Sequence, residues 1–313
     1  MSTQVTTAFV KQFNANIFHL SQQKGSRLRG AVRNVSQKGK SQFFDRLGSV
    51  TATKKVSRHG DTPLIDTPHS RRRVTLSDYE HADLIDDADK VKMLIDPASD
   101  YAMAFMFAFG RAMDDEIIAA ALGNAYGGEE GATTVSLATT QKVAAHDGTT
   151  TTGVNLNVRT LRKVKEKFDS NDVDESIPRY MAIGSSQLQS LLAETEVTSS
   201  DYANVKALVM GDVDSFLGFK FIRTERLAVS ASNITYTVTD GTVGAGSGTI
   251  TAANSRRCIA WAKDGLLLSI GSDIKSRISE RDDKSYSTQV FMKMCIGSTR
   301  LEEEKVVEVI CSE

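Results

Sequence analysis

One long helix signal restricts the fold more than any other feature of this sequence. Asp96 followed by Pro97 is a typical helix start, because aspartate caps the first turn and proline needs no partner at the first helical position. Gly123 is a stop signal. We therefore predict a helix over 97–122, about 40 Å long at 1.5 Å per residue.

The segment before this helix has the pattern of a two-stranded β-ribbon. Two β-prone stretches, 49–58 and 69–80, are rich in Val, Thr and charged residues and poor in large apolar ones. Residues 59–68 between them contain two Thr-Pro pairs and favour a turn. Such a ribbon is not stable alone and must lie on another surface. A long helix beside a projecting contact element is an unusual pairing for a small-molecule enzyme.

Charge is strongly segregated along the chain. The first acidic residue is Asp45, and residues 1–73 contain 14 basic and three acidic side chains, a net charge of +11. Residues 74–313 carry −12, so the total of −1 is a cancellation. Such a chain can attract copies of itself or present a basic face to a polyanion. Residues 1–40 are too polar to order alone, so a neighbouring copy or their own domain must hold them.

The remaining segments mix short helices and strands without the regular βαβ order of a parallel sheet. Asn155 is the predicted cap of a basic amphipathic helix that ends near Phe168. The other expected elements are a strand at 179–184, helices after Ser185 and at 202–210, a strand at 217–223, a Gly-rich hairpin at 233–252, and strands at 258–261, 288–296 and 305–311. The predicted fold class is α+β.

No motif in the sequence predicts catalysis, a cofactor or a metal. Gly39-Lys40-Ser41 resembles the end of a phosphate-binding loop, but Asn34 stands where its first glycine is needed. The acidic loop that begins at Asp169 starts like a calcium loop, but Asp174 replaces the required glycine. The five histidines lack metal-ligand spacing. The longest apolar run is about ten residues, half of what spans a bilayer, so we expect no membrane partner.

Several segments resemble the major capsid proteins of tailed bacteriophages. The matching pieces are Tyr180-Met-Ala-Ile-Gly-Ser-Ser-Gln-Leu, Phe216-Leu-Gly-Phe-Lys-Phe-Ile, Cys258-Ile-Ala-Trp-Ala-Lys-Asp-Gly-Leu-Leu-Leu, Thr288-Gln-Val-Phe-Met-Lys-Met-Cys-Ile-Gly, and Arg300 followed by Val306-Val-Glu-Val-Ile. The order of an N-terminal arm, an extended hairpin loop and a long spine helix is also similar to this family. The resemblance therefore covers nearly the whole chain.

The resemblance implies a tailed-phage major capsid fold. Its expected parts are an N-terminal arm at 1–40, an extended β-hairpin loop at 41–90, a peripheral domain at 91–178 with the spine helix at 97–122, an axial domain at 179–263 with the inserted hairpin 233–252, and a return to peripheral strands at 264–313. It also implies self-assembly as hexamers and pentamers into an icosahedral virion shell around double-stranded DNA, formed in the host cytoplasm. DNA at the inner surface, a scaffold, a portal and decoration proteins are the further partners that it suggests.

The charge pattern indicates where neighbouring copies would touch. Residues 77–116 hold 11 carboxylates against three basic side chains, so the basic arm and ribbon of one copy can lie across this stretch of the next. The basic candidates are Arg27, Arg29, Arg33, Lys54, Lys55, Arg58, Arg71, Arg72 and Arg73, and the acidic candidates are Asp86, Asp87, Asp114, Asp115 and Glu116. The last three acids are expected to be exposed on the helix.

Three further interpretations stay open on the sequence alone. An encapsulin-like compartment shell would have the same fold but would enclose enzymes, so packaged cargo protein would indicate it. A DNA-binding protein using the basic arm would bind DNA tightly and with a steep salt dependence as a free chain. A hydrolase or transferase has the least support, because no active-site motif is present.

Overall fold

The fold contains three β-sheets and three α-helices within the residues that the structure describes. The computed structural model describes residues 22–58, 61, 64–86, 98–147, 153–194, 215–230, 234–239, 242–243, 248–252 and 254–313. These residues group into two compact units. The first holds the described parts of 1–26, 78–112 and 272–295, and the second those of 27–77, 113–271 and 296–313.

The predicted long helix is confirmed as α1, which spans Ala98–Leu122. It ends at a residue without a side chain, since the amide of Gly123 donates to the carbonyl of Ala119 at 2.8 Å. A Cβ on Gly123 would lie 2.6 Å from that same carbonyl oxygen. Glycine therefore terminates the helix where any other residue would collide with its last turn.

The first unit combines the N-terminal half of α1 with the outer parts of three strands. These strands are β4 (Ser77–Ile85), β15 (Leu266–Arg281) and β16 (Ser287–Arg300), in the order β15, β16, β4. Ser285 and Tyr286, with φ of 52° and 57°, form the turn between β15 and β16. Phe105 of α1 meets the ring of His81 edge-on, with 4.3 Å between the ring centroids.

The second unit is built on a nine-stranded sheet. Its order is β13 (Gly248–Ala252), β11 (Ile234–Thr239), β12 (Thr242–Val243), β7 (Lys142–Ala144), β17 (Val306–Cys311), β14 (Arg256–Ala262), β8 (Arg179–Ile183), β10 (Phe219–Arg223) and β9 (Ser215–Phe216). Every residue of the central strand β17 is buried. A strand covered on both faces needs apolar side chains throughout, which explains its nearly continuous apolar sequence.

Two helices belong to the same unit as this sheet. Helix α2 spans Val158–Ser170 and buries Leu161, Val164 and Phe168, which share one helical face. Its cap is Asn157 rather than the predicted Asn155, because Asn157 Oδ1 accepts the amide of Thr160 at 2.8 Å. Asn155 instead donates to Ser186 Oγ in helix α3, which spans Ser185–Ala193.

The predicted ribbon exists, but its first strand was placed too late in the sequence. Strand β2 covers Ser41–Leu47 and pairs antiparallel with β3, His69–Thr75. Exposure alternates along β2, because every second side chain faces the chain interior. The predicted first strand, 49–58, forms no strand and is exposed throughout. Beyond β3, the chain enters β4 at Ser77.

The base of the ribbon is joined to the rest of the second unit. The sheet order is β2, β3, β5 (Ala125–Gly127) and β6 (Thr133–Val135). Strand β1 (Arg33–Ser36) pairs in parallel with residues 267–270 of β15. The shared core contains Val74, Leu267 and Leu301, with Val35 and Phe44 packed against it.

Three further expectations can be compared with the described elements. The hairpin 233–252 forms as β11 and β13, and β12 extends it to β7 through Thr242 and Val143. Strand β17 pairs antiparallel with β14 in the nine-stranded sheet, and the predicted division into peripheral and axial domains stays a prediction. An apolar strand needs cover on both faces, and the centre of this sheet provides it. The predicted helix at 202–210 lies outside the described residues.

Candidate intersubunit surface

The end of the N-terminal arm packs on its own chain. A Cβ on Gly110 of α1 would lie 2.4 Å from the carbonyl carbon of Gly25, so the arm crosses the helix at backbone contact distance. Arg111 Nη1 donates to Gln22 Oε1 at 2.7 Å. For residues 22–26, the chain's own helix is therefore the partner that orders the arm.

Asp114 was predicted to be an exposed contact residue, and this is wrong. Its side chain is completely buried, and its two carboxylate oxygens accept the backbone amides of Arg27 and Leu28 at 3.0 and 3.1 Å. A buried carboxylate must be satisfied in this way, because desolvation without partners is costly. Arg27 is exposed, but its guanidinium donates to the carbonyl of Arg223 in the same chain.

The neighbouring helix acids are also engaged within the chain. Asp115 forms a bidentate ion pair with Arg226. Hydrogen bonding to Asp115 is the main cause of the raised pKa of Arg226. Glu116 is half-buried and has a partner of its own. Asp86 is exposed and accepts from Ser287 Oγ at 2.5 Å, whereas Asp87 lies outside the described residues.

The three consecutive arginines of β3 occupy three different environments. Arg71 is exposed and pairs with Asp45 across the ribbon at 2.6 Å. Arg72 is only 3% exposed, and its guanidinium lies 2.5 Å from Glu303. Arg73 is half-buried and lies over the ring of Tyr126 at 5.4 Å. Successive residues of a strand point to opposite faces, so Arg72 cannot act on the surface as predicted.

The exposed part of the ribbon is the segment between its two strands, which we call the ribbon tip and define as the described residues of 48–68. It carries Lys54, Lys55 and Arg58, all exposed. It also presents Val56 and Leu64, each 98% exposed. Covering apolar side chains that are exposed on the isolated chain lowers the free energy of the system.

Two basic candidates lie between the arm and the ribbon. Arg33 begins β1 and is exposed, while Arg29 is half-buried and has an intrachain partner. The residues that hold the ribbon base, Arg46, Arg300 and Glu303, were not among the predicted contact residues. Arg300 had one usable signal, since it is a charged residue four positions beyond the predicted strand 288–296.

Two kinds of feature, metal clusters and membrane-spanning helices, are absent from the described residues. No group of three or more His, Cys, Asp or Glu side chains among them could hold a metal ion. Within the same residues, no helix is long and apolar enough to cross a membrane. A cavity of about 310 Å³ between β7 and α2 is lined by His146, Arg159, Arg162, Lys163 and Glu166, among others.

Comparison with known proteins identifies the class of molecule. The chain belongs to the phage capsid protein family, whose model matches residues 5–313. A search of curated proteins finds no match. Among solved structures, the capsid of cyanophage P-SCSP1u matches with a TM-score of 0.69 and 17% identity, covering 100% of this chain and 95% of that one.

Two further capsids show the same fold. The capsid of Helicobacter pylori bacteriophage KHP30 matches with a TM-score of 0.70 and 10% identity, covering 99% of this chain and 97% of that one. Cyanophage Pam1 matches with a TM-score of 0.68 and 14% identity, covering 98% and 97%. The predicted family and fold are confirmed: the chain is a structural protein of a phage capsid shell. The alternatives of a compartment shell and a DNA-binding protein are not favoured.

Proposed function

We propose that this chain assembles as hexamers and pentamers into an icosahedral shell around double-stranded DNA, in the host cytoplasm and without catalytic activity. The division into peripheral and axial domains is part of this proposal. So are contacts of the basic arm with packaged DNA and the participation of a scaffold, a portal and decoration proteins. The observation that carries the assembly proposal is the ribbon tip, which exposes apolar and basic side chains together.

The tip is suited to contact a neighbouring copy for two reasons. Its open apolar side chains, Val56 and Leu64, favour burial, while Lys54, Lys55 and Arg58 favour an acidic surface. The chain that follows the ribbon is rich in carboxylates, although Asp114 and Asp115 are already occupied internally. Single exposed ion pairs contribute only about 0–1 kcal/mol, but a shell repeats each contact many times.

A charge reversal at the tip tests the proposal. The variant Lys54→Glu/Lys55→Glu/Arg58→Glu should keep the subunit folded and abolish shells in electron micrographs. The matched control is Lys220→Glu/Lys275→Glu/Arg277→Glu, which makes the same charge change at exposed positions elsewhere. Normal shells from the tip variant would refute the placement of the tip between subunits. Equal loss in both variants would show a general charge effect instead.

A further inference from the structure

The base of the ribbon contains a cluster of three arginines around one carboxylate, which we call the arginine cluster: Arg46, Arg72, Arg300 and Glu303. Glu303 Oε1 lies 2.5 Å from Arg72 Nη2 and 3.5 Å from Arg300 Nε. Its Oε2 lies 3.6 Å from Arg46 Nη1. The side chains of Arg72 and Arg300 are 4% and 0% exposed. One partly buried carboxylate therefore faces three cations.

Both strands of the ribbon are attached to the same turn through this cluster. Arg46 comes from β2, and its Nη1 donates to the carbonyl of Leu301 at 2.5 Å. Arg72 comes from β3, and its Nε approaches the same carbonyl at 3.4 Å. The turn that carries Leu301 and Glu303 thus holds the two strands side by side where the ribbon begins.

The third arginine connects this turn to the end of α1. Arg300 Nη1 donates to the carbonyls of Ala121 and Gly123, both at 2.9 Å, and its Nη2 donates to that of Val135 at 3.1 Å. A cation at these carbonyls complements the negative end of the helix dipole. Burial lowers the pKa of Arg300, and the nearby Arg72 lowers it further, against the opposing effect of Glu303.

Space for the cluster depends on a glycine in the neighbouring strand. Arg72 is paired with Gly127 of β5, and a Cβ at that position would lie 2.8 Å from Arg72 Nη1. The missing side chain lets the Arg72 guanidinium pass over β5 toward Glu303. The cluster is therefore built into the sheet and is not a chance surface contact.

The electrostatic balance of the cluster points to a specific role for its carboxylate. Three guanidinium groups and one carboxylate leave a net charge of +2 in a region that is mostly shielded from water. Removing the carboxylate would leave three like charges on three different elements: β2, β3 and the end of β16. Their repulsion would be relieved most easily by displacing the ribbon strands, because Arg300 is held by the end of α1.

We propose that Glu303 is a positioning residue for capsid assembly, which fixes the direction in which the ribbon leaves its sheet. It acts through Arg46 and Arg72 and does not itself contact a neighbouring copy. The consequence for assembly rests on the proposed function, in which the ribbon tip lies between subunits. The effect on the ribbon base does not depend on that placement and can be measured separately.

The test compares Glu303→Gln with the double variant Glu303→Gln/Arg46→Gln. In the single variant, amide hydrogen exchange in 41–47 and 69–75 should rise about tenfold, and shell yield should fall about tenfold. Arg46→Gln alone measures the loss of the hydrogen bond to the Leu301 carbonyl. The double variant returns the cluster to a net charge of +2, so its effects on exchange and on shell yield should be at least about threefold smaller than the two single effects multiplied together. Glu302→Gln is the control, since Glu302 is 40% exposed and pairs with Lys305.

Each result supports or overturns the role of Glu303. Unchanged ribbon exchange in Glu303→Gln overturns it, whatever the shells do. A double variant that shows the full product of the two single effects, or failure of both Glu303 variants to fold, shows that charge balance is not the reason and also overturns it. Raised exchange with normal shells supports the effect of Glu303 on the ribbon base but overturns its consequence for assembly, and it removes the ribbon from the proposed contact between subunits.

Discussion

The base and the tip of the ribbon differ in almost every physical respect although they are adjacent in sequence. The base, 41–47 with 69–75, has a seven-pair ladder, a share of the apolar core and a buried ion cluster. The tip has exposed cations and exposed apolar side chains. The two parts of the ribbon therefore differ in their contacts. The base packs within its own chain, and the tip leaves its side chains exposed to another molecule.

The largest effect should come from removing a charge at the base. Arg72→Ala should lower the free energy of unfolding by about 3–5 kcal/mol, because it removes the shortest ion pair of Glu303 and empties the space of a large buried side chain. Chemical denaturation of the unassembled subunit measures this loss. Arg71→Ala, which removes an exposed pair on the same strand, should cost about 0–1 kcal/mol. Equal losses of unfolding free energy in the two variants would show that the buried and the exposed face of β3 contribute equally to stability.

Asp114 should behave like the ribbon base, although it lies on the helix. Asp114→Ala removes a carboxylate that accepts the amides of Arg27 and Leu28, and we expect a loss of about 2–4 kcal/mol in the free energy of unfolding. Asp115→Ala, its matched control, breaks a partly exposed ion pair and should cost about 1 kcal/mol or less. A small loss for Asp114→Ala would contradict its structural role.

An ion cluster of intermediate exposure should show a measurable pH dependence. Burial would raise the pKa of Glu225, but hydrogen bonds from Ser185 and the ion pair with Arg256 outweigh it and lower the pKa. The stabilisation is therefore present above the ordinary glutamate pKa and is lost as pH falls through the lowered value. Glu225→Gln should reduce the loss of stability between about pH 5 and pH 3 by about 1 kcal/mol or less. An identical pH profile in denaturation experiments would contradict this contribution.

The smallest effect on the subunit should come from the tip. Val56→Ser/Leu64→Ser should change the free energy of unfolding by less than about 0.5 kcal/mol, because both side chains are almost fully exposed. The same variant should nevertheless reduce shell yield, since the proposed contact loses its apolar part. A clear loss of subunit stability would show that the tip, like the base, packs on its own chain.

Local sequence signals predicted an element well where the residues that carry the signal are the residues of the element. The long helix matches α1 almost to the residue, because its glycine stop acts within one turn. The second ribbon strand, predicted at 69–80, contains β3. The first strand was misplaced because 49–58 has strand composition but no covering surface, whereas 41–47 has one. Asn155 and Asn157 are both credible caps, and only their spatial partners separate them.

Three properties follow from the amino-acid sequence alone: the order of the elements, the separation of charge between the first 73 residues and the rest, and the resemblance to capsid proteins. These properties depend on residue type and neighbours along the chain. Which charges are exposed to a partner became clear from the three-dimensional packing. Arg72 and Asp114 looked like surface residues, yet one is neutralised by Glu303 and the other satisfies the amides of Arg27 and Leu28. Burial and pairing of a charge arise from residues distant in sequence, so no local pattern reveals them.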